Sequence, residues 1–210
     1  MAAVSDTIVR EFFELNGFLV RQSRKFVSPA MREDDDIDFL VINPNPQSRA
    51  ESLPFVLNAD HVPAVQRAVV ILKAWHTGVF TPALLTNTPD FFRFLEKRTF
   101  AQTTAGFAKG GSLLKILAVP ALPQGREPQE QSIAILKSKG LDAAISFPTM
   151  LSYLIHEVEP NRNYQKSDVL QLIRLLKNYE FFKDPQMDLF RGQRNRKRRV
   201  SRKPPNSQPG

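Results

Sequence analysis

Apolar residues recur along this chain with two periods, and each change of period marks a predicted element. Ser5 to Leu15 follows the helical period, with Val4, Ile8, Phe12 and Leu15 gathered on one side of a 100° wheel and Glu11 at the edge of that side. Ser5 is placed to cap this helix, and Gly17 lies just past its end, where a left-handed residue is usually needed. Phe18 to Phe26 then alternates Phe18, Val20 and Gln22 against Leu19, Arg21 and Ser23, the signature of a strand. A second strand is expected over Asp36–Ile42, stopped by Asn43-Pro44-Asn45-Pro46, and a third over Val69–Trp75. Leu53 to Leu57 reads as an extra short strand, and His61 to Arg67 is compatible with helix or strand.

The second half continues the alternation of element types. Pro89 to Ala105 is expected to be a long helix with Phe91, Phe94, Leu95 and Phe100 as apolar members, and Leu113 to Ala118 a strand stopped by Pro120. Leu122 to Glu130 reads as a surface loop. Glu130 to Lys139 is a helix closed by Gly140, Leu141 to Phe147 a last strand, and Pro148–Val158 and Ser167–Phe182 two final helices. The second of these carries Val169, Leu172, Ile173, Leu176 and Tyr179 along one side. The predicted fold class is therefore α/β, in the order αβββ-α-β-α-β with two C-terminal helices, and no internal repeat is visible.

Two strands carry a charge where a core would not want one. Asp38 lies in Asp36-Ile37-Asp38-Phe39-Leu40-Val41-Ile42, and Lys73 in Val69-Val70-Ile71-Leu72-Lys73-Ala74-Trp75. An unpaired buried carboxylate or ammonium costs several kcal/mol or more, so such groups are normally placed together, at a metal, or at a strand end in water. The spacing points to a site shared by Asp38 and Lys73. Asp38 could equally be a strand-entry carboxylate continuing the acidic loop Glu33-Asp34-Asp35. His61, His76 and His156 have no metal-ligand spacing; His76, just past the third strand, is placed to line a groove.

A helix leading into three strands, with an acid on the second and a lysine on the third, resembles the PD-(D/E)XK superfamily, the restriction-endonuclease-like nucleases. The resemblance runs from Ser5 to about Phe147, and Phe12-Phe13-Glu14-Leu15-Asn16-Gly17-Phe18-Leu19-Val20 is similar to the family's first helix turning into its first strand. It implies a restriction-endonuclease-like core, with Asp38 as the first metal-binding acid and Lys73 as the catalytic cation. The family places a second acid two residues before the lysine, and here that residue is Ile71. Mg²⁺ held by carboxylates would polarise a phosphodiester and acidify a bound water, and one carboxylate holds Mg²⁺ poorly. An active enzyme would need a displaced acid. Glu11 is the first candidate for both metal binding and catalysis, with Glu14 and Glu96 behind it.

Charge adds a partner. From Arg191 to the end there are eight basic residues (Arg191, Arg194, Arg196, Lys197, Arg198, Arg199, Arg202 and Lys203) and no acid. Removing those eight from the 29 Lys and Arg leaves 21, equal to the 21 Asp and Glu of the first 190 residues. The net charge of +8 thus belongs to the last twenty residues. The sequence divides into a restriction-endonuclease-like domain over 1–190 and a disordered basic tail over 191–210, whose low hydrophobicity leaves nothing to bury. Phosphate contact is its expected use, with DNA ahead of RNA as the partner. The absence of cysteine, of a membrane-length apolar run and of a basic-then-apolar start favours a soluble, cytoplasmic protein, or a nuclear one in a eukaryote. Three functions fit: a divergent Mg²⁺-dependent phosphodiesterase, a non-cleaving DNA- or RNA-binding descendant of that fold, or an interaction subunit with a solubilising tail.

Overall fold

A computed structural model describes residues 2–22, 37–47, 52–73, 76, 78–88, 92, 95, 100, 104, 107 and 113–182. Helix α1 (Ala2–Leu15) starts three residues before Ser5, so Ser5, expected as its cap, lies inside it; its buried residues are Ser5, Ile8, Val9, Glu11, Phe12 and Phe13, while Val4 is 61 % exposed. The core face is turned away from the side marked by Val4 and Leu15, because Val9 and Phe13 add a second i,i+4 row that packs under the sheet. Gly17, at φ +82°, ends the helix, and the Phe18 amide bonds the Phe13 carbonyl at 3.0 Å. That left-handed residue reverses the chain into β1 (Leu19–Gln22).

β1 pairs antiparallel with β2 (Phe39–Ile42), and β2 antiparallel with β4 (Arg67–Leu72), with Phe39 opposite Val70. β5 (Leu114–Val119) and β6 (Ala143–Ser146) continue in parallel, and the two-residue β3 (Val56–Leu57) closes the far edge parallel to β6. The result is a mixed six-stranded sheet of order β1-β2-β4-β5-β6-β3. Of the extra strand expected over Leu53–Leu57, only Val56 and Leu57 form, as an edge strand. The ambiguous stretch before β4 is divided, with a 3-10 helix at Ala59–Ala64 and the strand beginning at Arg67.

Helices cover both faces of the sheet. On one face α1 packs with α4 (Phe147–Glu157) and α5 (Asp168–Asn178) over Phe39, Val41, Ala68, Val70, Ile116, Ala118 and Ile145. On the other, α2 (Pro82–Asn87) and α3 (Arg126–Ser138) cover Leu40, Val69, Ile71, Leu117, Val119 and Ala144. Residues of opposite parity along β2, β4 and β5 belong to opposite clusters, as period-2 alternation in a doubly covered sheet requires.

Other boundaries differ from expectation as well: β4 ends at Leu72, leaving Lys73 just past it, and β6 spans only Ala143–Ser146. α2 occupies residues without a periodic signal, since six residues show too little of a 3.6 period; Thr81 caps it by accepting from the Leu84 amide, and Pro82 opens it. α3 begins at Arg126, inside the stretch expected to be a surface loop, after Gly125 at φ +95°. β2 begins at Phe39 instead of Asp36. α5 stops at Asn178, where Glu180 at φ +59° lets the Glu180 amide bond Lys177 and the Phe181 amide bond Leu176, so the helix cannot run on to Phe182. The helix expected over Pro89–Ala105 lies largely outside the described residues, although Phe92 is buried among the α2–α3 cluster. The ends expected for the first and third strands, Ser23–Phe26 and Trp75, together with Asp36 and Arg191–Gly210, also lie outside them.

Candidate functional site

The carboxyl ends of parallel strands are where an α/β sheet leaves a crevice, because the flanking helices diverge there. Asp38 and Lys73 both lie at that end of this sheet. Asp38 immediately precedes β2, Lys73 immediately follows β4, and the Phe39–Val70 register sets them on neighbouring strands. Successive amides at the end of β4 point to opposite sides: the Leu72 amide donates to Asp38 Oδ2 at 2.6 Å, and the Lys73 amide donates to the Ala118 carbonyl at 3.0 Å. The Asp38 carboxylate therefore stands in for a backbone carbonyl of β2 and ends the ladder, as short polar side chains do when they compete for backbone donors. Lys73 is buried, at 7 % exposure, with its stem continuing the apolar strand.

The N-terminal part of α1 reaches the same end. Ser5 Oγ, itself 1 % exposed, lies 2.7 Å from Nε2 of His76, and the His76 ring meets the edge of Phe147 with centroids 4.6 Å apart. His76 is thereby fastened to the N-terminal part of α1 and to the start of α4. Gln22, the last residue of β1 and the partner of Phe39, donates to Asp6 Oδ2 at 3.2 Å. Burial holds the Asp6 carboxyl above its ordinary range, against the opposing pull of Arg10 and the Gln22 hydrogen bond. Asp6 is thus the α1 acid tied to the strands beside Asp38. The sequence held one signal for it: Val9 and Phe13 turn the buried side of the helix toward Asp6.

Glu11 and Glu14 lie elsewhere on the helix. Glu11 is six residues past Ser5, about 9 Å along the axis at the helical rise. It is 6 % exposed, 3.3 Å from Arg10, and shares with Arg10, Glu14, Lys166, Ser167 and Leu170 a cleft of about 570 Å³ between α1 and the entry to α5. Burial first, then the Glu11 charge, raises the Glu14 carboxyl, while Arg10 lowers it. Both acids belong to this cleft, walled by α1 and α5. Glu96 lies outside the described residues.

The donor set for Mg²⁺ can be judged residue by residue. Ile71 is fully buried in the α2–α3 cluster with Val69 and Leu117, and one oxygen of Asp38 is engaged by the Leu72 amide. Among the described residues no three His, Asp or Glu side chains come together as metal ligands. Among the described residues, this end of the sheet therefore presents Mg²⁺ with no converging set of carboxylates. Among the described residues no helix is long and apolar enough to cross a membrane. Compared with profiles of known protein families, with curated proteins and with solved structures, the chain matches none.

Proposed function

We propose that this protein binds nucleic acid through a restriction-endonuclease-like core that has lost its metal site and a basic C-terminal segment that supplies affinity. Support for the core comes from the antiparallel β1-β2-β4 unit leading into parallel β5, preceded by α1, with an acid entering the second of these strands and a lysine leaving the third. Support for the lost metal site comes from Ile71, packed in the core, and from Asp38, whose carboxylate closes a strand. Lys73 follows β4 at the end of the sheet where a crevice is expected, and His76 comes three residues later.

The observation that carries the nucleic-acid reading is the segregation of charge: a balanced first 190 residues followed by eight cations without an acid. Lys and Arg that neutralise phosphates release counterions, and each gives the binding constant a dependence on salt of about −0.9 in the log–log slope for duplex DNA. The test is a binding titration over a range of salt with the full chain and with a variant in which Arg194, Arg196, Lys197, Arg198, Arg199, Arg202 and Lys203 are all Gln. If each of the seven meets a phosphate, the slope becomes shallower by roughly 6. An unchanged affinity and slope would remove the segment from the interface. Cleavage of DNA or RNA in Mg²⁺ or Mn²⁺ that disappears in Lys73→Ala would restore the hydrolase reading.

A further inference from the structure

Apolar side chains are left outside the two clusters at one place above all, the outer side and end of α5. Leu172 is 56 % exposed, Leu175 39 %, Tyr179 73 %, Phe181 72 % and Phe182 41 %. The core side of the same helix is satisfied by Leu170 and Ile173, so these residues are a second apolar stripe facing away from the fold. The backbone carrying Tyr179 and Phe181 is fixed, because the closing turn at Glu180 bonds the Tyr179, Glu180 and Phe181 amides to Leu175, Lys177 and Leu176. Three exposed aromatic side chains thus fall within four residues at this turn. An exposed patch of this kind marks a contact surface.

We infer that Tyr179, Phe181 and Phe182 form a stacking platform for the bases of a single-stranded nucleic acid, a reading that rests on the function proposed above and narrows its substrate. Charge and reach select this occupant. Eight residues separate Phe182 from Arg191, a span of at most about 32 Å, and from Arg191 the eight cations follow without an acid. A strand lying on the rings can therefore have its phosphates met by the segment that leaves them. The aromatic rings select unpaired bases, because in a duplex each base face is already covered by its neighbours, whereas an open base offers a face to any ring. Two copies meeting through this patch would each bring a cationic segment to the same interface.

The experiment is anisotropy with the full chain and two labelled probes, an oligothymidine and a duplex of the same length, comparing wild type with Tyr179→Ala, Phe181→Ala and Phe181→Trp. Because the rings are exposed, the Ala variants keep the fold, which circular dichroism checks. The expected result is a loss of roughly 5- to 100-fold on the single strand for each Ala variant with the salt slope unchanged, retention by Phe181→Trp, and less than about 2-fold change on the duplex. Salt-dependent binding of both probes that is indifferent to Tyr179 and Phe181 overturns the platform while leaving the nucleic-acid function standing. Binding of neither probe overturns both. Ring-dependent binding to anionic lipid vesicles, or ring-dependent self-association in sedimentation, without an effect on the single strand, overturns the platform in favour of that partner.

Discussion

Asp6 is the residue whose environment departs most informatively from what the sequence suggests. Its carboxyl is half-buried, and burial raises it from the ordinary 3.8, so the native state holds its proton to higher pH than the unfolded chain does. A raised carboxyl removes stability as pH climbs from the ordinary value through the raised one, and the loss persists above it. Asp6→Asn keeps a neutral acceptor for Gln22 and carries no charge to desolvate. Thermal melts of the two proteins should coincide at a pH below the ordinary carboxylate range, then separate with the variant the more stable at neutral pH. Glu14, shifted in the same direction, remains in both proteins and leaves each with a residual fall. A variant less stable than wild type at neutral pH would mean that the charged form of Asp6 is held by a favourable contact.

The boundaries of elements are decided by single polar side chains. β2 starts at Phe39 because the Asp38 carboxylate takes the Leu72 amide, and α5 ends at Asn178 because Glu180 accepts a left-handed conformation. Asp38→Ala leaves that amide at the end of β4 without its acceptor, a cost of about 1–3 kcal/mol. Asp38→Asn still offers an oxygen and should recover most of it. Urea denaturation of both variants separates this structural role from a chemical one: equal losses in the two would show that the charge, rather than the hydrogen bond, holds the strand end. Helix positions were legible where apolar residues repeat over several turns, as in α1, α3, α4 and α5. They were not legible in α2, whose six residues are specified by Thr81, Pro82 and one buried side chain, Leu85.

For the molecule as a whole, the sheet is covered on both faces, and this fixes what Ile71 can become. It lies at 0 % exposure among Val69, Leu117 and Val119. Ile71→Glu would place a carboxylate in that cluster, where an unpaired charge costs several kcal/mol unless it is neutralised or paired. The expected outcome is a strongly lowered melting temperature that millimolar Mg²⁺ does not recover, since a ligand raises stability only when it binds the folded state. Recovery by Mg²⁺ in Ile71→Glu, absent from wild type, would show that Asp38 and the new acid converge and that one substitution separates this chain from a metal site.

The sequence by itself determined the α/β class, the strands that Asp38 and Lys73 flank, the place of Ile71 on the second of them and the concentration of charge from Arg191 onward, because each is written in local period or in composition. Tertiary structure decided the rest. Alternation could place Val69, Ile71 and Lys73 on one side of a strand, but that the opposite faces of β4 meet α1 and α4 on one side and α2 and α3 on the other depends on chain crossings. A helical wheel could rank Glu11 over Glu14, yet which side of α1 meets the sheet was set by Val9 and Phe13 packing against it, which brought Asp6 to the strands beside Asp38 and left Glu11 in the cleft by α5. Charges meet across a fold according to where helices dock, and docking follows burial of whole apolar faces, a sum over distant residues that no local period records.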